Sequence, residues 1–197
     1  FPEYGSFLGL HKYDGKWSEE GERAYLENTE FFKRYLKKFV KIKTEKLSEK
    51  DKLDRKIIIQ NLKLTIFSFE KLRTWESDPD IAEWIGGTLF LLVNRDNFSL
   101  KDKIKKINKA LETIPALFDQ VKTRIKRPYK LWTEIAIESC EGVELFLDDL
   151  KSIKIEKNFK KEFLNNINIS LKAVKDYKNF LKNEVLPRSI NKYIIGE

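Results

Sequence analysis

The sequence predicts an all-α protein, a single bundle of about seven helices joined by short connectors. Apolar residues recur at steps of three and four over most of the 197 residues. Capping serine and aspartate residues and helix-breaking prolines separate these stretches. The apolar run 62–69 is also compatible with a strand, but no second strand pattern is present to pair with it. We therefore predict a helix there as well.

The amino-terminal third contains two of the predicted helices. Residues 1–17 carry three glycines and are predicted to be extended or looped. Ser18 is the predicted N-cap of a helix that reaches Val40, because two glutamates follow it and complement the helix dipole. A serine and an aspartate three residues apart then predict the start of a second helix, over 49–75.

Prolines and glycines set the expectations for the rest of the chain. Asp78 is a predicted cap and Pro79 a predicted first helical residue. Gly86 and Gly87 lie inside that helix and predict either a kink or the close approach of another backbone. Pro115 is predicted to end one helix and start another. The remaining helices are predicted over 99–114, 115–127, 132–150 and 156–186.

Composition excludes several classes of function. A single cysteine excludes an internal disulfide, and a single histidine excludes every metal site that needs two imidazole ligands. No glycine-rich phosphate loop is present. No run of 18 apolar residues exists, so we expect no membrane span and, for want of a targeting segment, a cytoplasmic location. The chain starts at Phe1 and contains no methionine, so we expect a fragment of a longer protein.

The net charge of +8 is concentrated in one stretch, which we call the basic stretch 101–130. An anionic partner is one interpretation of this charge. A solvated face on two short helices is favoured, because stacking aromatics are sparse there and no nucleic-acid motif accompanies the charge. The basic residues are Lys101, Lys103, Lys105, Lys106, Lys109, Lys122, Arg124, Lys126, Arg127 and Lys130.

Few residues are candidates for chemistry. His11 with Asp14 resembles two members of a triad, and Cys140 is the available thiol. Cys140 lies beside an apolar helical stripe, so we expect a buried and inert thiol. Three acids at helical spacing suggest a cation site, but a solvated helix face is favoured. These acids are Glu134, Glu138 and Glu141.

Six short motifs occur in an order that resembles a known prokaryotic family, the domain-of-unknown-function 885 (DUF885) family. The resemblance covers about residues 2–196, and it corresponds to the amino-terminal part of the family's proteins. The motifs are G-L-H-K-Y-D-G from Gly9, L-R-T-W-E-S-D-P from Leu72, L-L-V-N-R-D from Leu91, I-P-A-L-F from Ile114, W-T-E-I-A-I-E from Trp132 and L-P-R-S from Leu186.

The resemblance implies a helical protein similar in plan to thermolysin-type zinc peptidases. In that plan an H-E-x-x-H helix in the second half holds zinc, and its glutamate deprotonates the bound water. This chain contains no H-E-x-x-H. The resemblance therefore carries over no catalytic, cofactor-binding or metal residue. It implies a noncatalytic half whose partners are the carboxyl-terminal, metal-binding half of the same protein and a peptide substrate, with zinc in the parent protein only.

A helical half of this kind is expected to form one wall of the substrate cleft. Two loop groups are the candidates to face that cleft. The first group contains His11, Tyr13 and Asp14, and the second contains Arg95 and Asp96. The alternative function is a free-standing helical interaction module that uses the basic stretch 101–130. In neither case is the chain alone expected to be an enzyme.

Overall fold

The computed structural model describes residues 1–96 and 98–191. Seven α-helices make up most of this part of the chain, and it contains no β-strand, which confirms the predicted all-α class. The helices are α1 (Pro2–Phe7), α2 (Glu22–Lys41), α3 (Glu49–Phe67), α4 (Ile81–Val93), α5 (Leu100–Arg124), α6 (Lys130–Leu150) and α7 (Lys157–Phe180).

Helices α4 to α7 form a four-helix bundle that contains the hydrophobic core. Helix α7 packs against α5 and α6, and α4 packs against the same two helices from the other side. The apolar stripes seen in the sequence face inward here, as the helical period requires. The largest fully buried side chains include Phe118 and Phe163, and Tyr177 donates a hydrogen bond from its hydroxyl to the carbonyl of Pro79 at 2.6 Å.

Helices α2 and α3 form an antiparallel hairpin, the α2–α3 hairpin, beside the bundle. Arg55 of α3 closes its far end by donating to the carbonyls of Phe39 and Val40, both at 2.9 Å. No residue of α3 is buried, and α2 buries only Ala24 and Thr29. The hairpin therefore contributes little to the core.

The amino-terminal segment differs from the prediction of an extended or looped 1–17. Pro2 stands at the start of α1, where a missing N–H is tolerated, and Glu3 lies in the first turn. A 3₁₀ turn follows at His11–Tyr13. Ser18 is not the cap of α2, because its N–H and hydroxyl donate to the carboxylate of Glu3 at 2.9 and 2.8 Å. Helix α2 starts after Gly21 instead.

Two other predicted boundaries move by a few residues. The helix predicted over 49–75 ends as α-helix at Phe67, continues as one π turn to Leu72, and stops at Arg73, whose φ of 51° is left-handed. The next helix is capped by Asp80 rather than Asp78, since the Asp80 carboxylate accepts from the N–H of Glu83 at 3.1 Å.

Helix α5 runs through Pro115, so the two helices predicted over 99–114 and 115–127 are one. A proline at this position cannot donate to the carbonyl of Leu111, four residues earlier. Ser170 of α7 donates its hydroxyl to that carbonyl at 3.1 Å, so the buried acceptor keeps a partner. The predicted break at Pro115 was wrong because the group that replaces the lost hydrogen bond, the Ser170 hydroxyl, is distant in sequence.

Two glycines allow close packing. At Gly86, α4 continues without interruption, and an added Cβ would lie 3.2 Å from Cγ2 of Val143 on α6. The close neighbour is therefore a side chain, and not another backbone as one of the two predicted alternatives had it. Gly15 has a φ of 72°, and an added Cβ would lie 2.5 Å from the carbonyl oxygen of Lys106. This glycine holds the amino-terminal segment against α5.

Candidate functional site

A cavity of about 440 Å³ lies between the α2–α3 hairpin and the four-helix bundle. We call it the hairpin cavity. Helix α1 and the segment around Trp17 also border it. The indole N–H of Trp17 donates to the carbonyl of Ala110 at 3.0 Å, which fixes this segment on α5. The volume of the hairpin cavity is in the range of small-molecule and side-chain binding sites.

Aromatic rings form one wall of the hairpin cavity. Tyr25 and Trp75 stack with centroids 5.4 Å apart. Arg73 lies over the Trp75 ring at 5.1 Å, and Arg124 lies over the Tyr25 ring at 5.3 Å. The faces of these two rings are thus occupied by groups of the chain itself. Trp84 also borders the cavity, and its side chain is 56% exposed.

Four carboxylates line the same cavity: Glu3, Glu20, Asp78 and Asp80. Burial raises the pKa of Glu20, although Arg124 and the hydroxyl of Tyr25, at 2.7 Å, act in the opposite direction. Burial also raises the pKa of Asp80. In both cases burial disfavours the charged form of the carboxyl group more than its hydrogen-bond partners favour it.

Arg124 is the single basic side chain among the described residues that line the cavity, and it is 4% exposed. Its Nη1 donates to the backbone carbonyls of Trp75 and Asp78, and its Nη2 lies 3.4 Å from Glu20. Its Nε has no hydrogen-bond partner among the described residues. A buried guanidinium with one unsatisfied donor is an unusual feature that calls for an acceptor.

The residues predicted to face a cleft lie elsewhere, around the buried carboxylate of Asp14. Arg95 donates to Asp14 at 2.5 Å and also to the carbonyl of Ser6. Lys106 donates to the other oxygen of Asp14 at 2.9 Å, and the Ser6 hydroxyl donates at 2.6 Å. The Nδ1 atom of His11 is 2.7 Å from Nη1 of Arg95 and 3.3 Å from Asp14. The structure thus joins the two predicted loop groups.

We call these residues (Ser6, His11, Asp14, Arg95 and Lys106) the Asp14 cluster. They form a structural ion-pair network. Burial alone would raise the pKa of Asp14, but the hydrogen bonds from Ser6, Lys106 and Arg95 together outweigh it and hold the pKa below its usual value. Asp14 is 5% exposed, so little of it is open to a ligand.

The two remaining predicted residues occupy separate surroundings. Tyr13 packs its ring against the backbone of Gly5, and Lys12 lies over that ring at 4.9 Å. Asp96 is exposed. None of the five predicted residues lines the hairpin cavity. Their role at a cleft of a longer protein stays a prediction.

The basic stretch 101–130 is largely paired within the chain. Six of its ten basic residues form ion pairs, four of them with acids that precede α4 in sequence. The six pairs are Lys106–Asp14, Lys122–Asp119, Arg124–Glu20, Lys126–Glu22, Arg127–Glu76 and Lys130–Glu134. Internal neutralisation therefore accounts for much of a charge that the sequence alone presents as a free surface.

The candidate metal ligands within the described residues do not come together in a zinc site. Cys140 is fully buried in α6, and burial raises the pKa of its thiol to about 12. His11 lies in the Asp14 cluster instead. Of the acids considered as a cation site, Glu141 is near Lys178 and Lys182. Within residues 1–96 and 98–191, no three histidine, cysteine, aspartate or glutamate side chains are arranged to hold a metal ion.

Sequence reasoning missed the hairpin cavity. From the sequence, Glu20 is interpreted through the dipole of a helix and Asp78 as a helix cap, and neither interpretation points to a cavity. Tryptophans at 17, 75 and 84 each lie within four residues of an acid, but so does Trp132, which does not line the cavity, so this spacing does not identify the site. Which of these would share one cavity depends on how the hairpin packs.

The fold and the hairpin cavity define an all-helical domain in which a two-helix hairpin and a four-helix bundle enclose a space of ligand size. The chain belongs to the family described as "Bacterial protein of unknown function (DUF885)", which matches residues 2–196. This confirms the family resemblance predicted from the six motifs. No curated protein matches the chain.

The chain is also similar to a solved structure described as that of "a putative lipoprotein of unknown function from Shewanella oneidensis". The TM-score is 0.82 at 20% sequence identity, over 93% of this chain and 34% of the other. This likeness shows a shared fold. The chain spans about one third of the length of that protein. No helix in the described part of the chain is long and apolar enough to cross a membrane.

Proposed function

We propose that the chain is the noncatalytic helical part of a zinc-dependent peptidase and that its hairpin cavity forms part of the wall of a peptide-binding cleft. The hairpin cavity carries this proposal, because it combines ligand-sized volume, aromatic walls and polar groups. Helical structure in this chain supplies shape and binding groups, and the zinc ligands belong to the part of the protein that the resemblance places after it.

The exposed apolar side chains of the α2–α3 hairpin support a partner of this kind. Leu53, Ile57, Leu64 and Phe67 are each about half exposed on α3. An apolar surface of this extent is typical of an interface rather than of a face that stays in water. The partner we propose is the metal-binding half of the same protein, since the solved relative continues far beyond the matched region.

A comparison of the isolated chain with the longer protein tests the proposal. We expect the isolated chain to bind no stoichiometric zinc and to hydrolyse no peptide, whereas the longer protein does both. Metal content after dialysis and release of fluorescent peptide fragments are the measurements. Tight stoichiometric zinc in the isolated chain, or peptide turnover by it, would contradict the proposal.

Substitution on the hairpin tests the docking surface in the longer protein. Ile57→Asp introduces a charge into the proposed interface, and we expect peptide hydrolysis to fall by about tenfold or more as the halves separate. Leu145→Asp is the matched control, because Leu145 is 70% exposed on α6, away from the hairpin. Equal effects of the two substitutions would show that the hairpin is not the interface.

The alternative, an interaction module that uses the basic stretch 101–130, has less support because six of the ten basic residues are paired internally. Association with a polyanion that weakens strongly between 50 and 200 mM salt would favour it. The cytoplasmic location stays a prediction, since the description of a relative at 20% identity does not extend to this chain.

A further inference from the structure

We propose that the hairpin cavity binds the cationic side chain of a lysine or arginine residue of a peptide, among the four carboxylates that line it and beside the ring of Trp84. The inference deepens the proposed function, on which its peptide context rests, by naming the substrate class that the cavity selects.

The charge balance of the cavity is the first observation. Four carboxylates and one basic side chain line it, so the lining side chains carry an excess of three formal negative charges. Glu3 and Asp80 receive their hydrogen bonds from uncharged donors: Glu3 from Ser18, and Asp80 from Ser139 and the N–H of Glu83. These bonds satisfy the oxygen atoms but leave the charge without a counterion. A bound cation would supply one.

The aromatic lining is the second observation. Cations bind over aromatic faces, and tryptophan gives the strongest interaction. Tyr25 and Trp75 already have Arg124 and Arg73 over their rings, which shows that this wall attracts guanidinium groups from the chain itself. Trp84 borders the same cavity, and no ring or cation of the described residues stacks on it. Its exposed indole is therefore open to a cation from outside the chain.

Arg124 supplies the third observation, which concerns the peptide backbone. Its side chain is 96% buried beside the cavity, and Nη1 and Nη2 are engaged by Trp75, Asp78 and Glu20. The Nε–H lacks an acceptor. A carbonyl oxygen next to the bound side chain would satisfy this donor. A basic residue within a peptide offers a cation and a carbonyl together.

Binding of short blocked peptides to the 197-residue chain tests the proposal. The probes are acetyl-Gly-Lys-Gly-amide and acetyl-Gly-Arg-Gly-amide, and the neutral control is the same peptide with norleucine. The chain is acetylated at its amino terminus, because Phe1 borders the cavity and its α-ammonium would compete. We expect the basic peptides to bind about tenfold more tightly than the control, with a shift of the Trp84 indole signal in NMR spectra.

Substitutions of cavity residues then test whether the peptide binds in the hairpin cavity. Asp78→Asn retains an oxygen for the N–H of Asp80 and removes one charge, and Trp84→Leu keeps an apolar side chain but removes the ring. Each substitution is expected to weaken the binding of the lysine peptide by about three- to tenfold. Glu138→Gln, an exposed charge change on α6 outside the cavity, is expected to leave binding within twofold.

Three results would overturn the inference: equal affinity for the norleucine and lysine peptides, absence of binding by every probe, or full binding in both cavity variants. Equal affinity at the cavity removes the cation preference while the peptide-wall function stands. Binding of basic probes with no peptide hydrolysis by the longer protein removes the peptidase assignment while the cation site stands.

Discussion

At the scale of single residues, the buried charge of Asp14 is the feature on which the free energy of unfolding should depend most. The Asp14 carboxylate is fully enclosed, yet it receives hydrogen bonds from two cationic side chains and one hydroxyl. These donors come from α1, from the loop after α4 and from α5. One carboxylate therefore connects three separate segments, and the free energy of unfolding should depend strongly on it.

Asp14→Asn is expected to destabilise the chain by about 3 kcal/mol at pH 7, because it leaves Arg95 and Lys106 without their counterion in a site of low exposure. Urea unfolding followed by circular dichroism measures this change. Asp96→Asn is the matched control, since Asp96 is exposed on the loop that carries Arg95, and a change within about 0.5 kcal/mol is expected.

The pH dependence of the same site has a definite sign. The folded-state pKa of Asp14 is lowered, so its stabilisation is present above the unfolded-state pKa of about 3.9 and is lost as the pH falls through the folded-state value. The difference in unfolding free energy between the parent chain and Asp14→Asn should therefore shrink below about pH 4. A difference that stays constant down to pH 2 would rule out this linkage.

At the scale of helices, Pro115 shows how one element depends on another. Helix α5 keeps its course because Ser170 of α7 donates to the carbonyl that the proline leaves without a partner. Both Ser170 and Leu111 are buried, so water cannot replace the serine hydroxyl. The continuity of the longest helix is thus a property of the α5–α7 pair.

Ser170→Ala is expected to lower the free energy of unfolding by about 1–3 kcal/mol, the cost of a buried acceptor without a donor. In a Pro115→Ala background the new N–H can serve the same carbonyl, so the cost of Ser170→Ala should fall by about 1 kcal/mol. Thermal and urea unfolding of the four proteins give this double-mutant cycle. Thr123→Ala, which removes an exposed hydroxyl of α5, is the control, and strict additivity would disprove the coupling.

At the scale of the whole molecule, stability is unevenly distributed between the bundle and the α2–α3 hairpin. The core residues come from helices α4 to α7, from Ile125 just after α5 and from the turn that follows α7, and none comes from α2 or α3. The hairpin meets the bundle where Arg124 of α5 lies over the ring of Tyr25 of α2, at 5.3 Å. Regions with few buried apolar contacts open at lower free energy.

Hydrogen exchange should reveal this difference. At pH 7, amides in α3 are expected to exchange about 100-fold or more faster than amides in α5 and α7, corresponding to about 3 kcal/mol in opening free energy. Mass spectrometry of peptic fragments after timed labelling is the measurement. Equal protection in the hairpin and the bundle would show that the molecule unfolds as one unit.

Much of the helical architecture was predictable because its cause is local. The stripe of α5 and the serine caps at Ser48 and Ser99 follow from helical period and from side-chain oxygens that accept the first free N–H groups. The errors occurred where a distant group decided the outcome. Ser18 donates to Glu3 instead of capping α2, and Ser170 supports a proline that would otherwise break a helix.

The candidate site was less predictable for the same reason. His11, Asp14 and Arg95 were each identified in the sequence, but their union in one buried ion-pair network required α1, the loop after α4 and α5 to meet. The residues that line the hairpin cavity are spread from Phe1 to Arg124. No local pattern specifies which of those side chains share a space.

The sequence alone determined that this protein is helical and that it belongs with the DUF885 family. Only the tertiary structure decided that most of the basic stretch 101–130 is neutralised by acids of the chain and that carboxylates and aromatic rings enclose a cavity. Helix formation depends on residues three and four apart, whereas charge pairing and cavity shape depend on residues tens of positions apart.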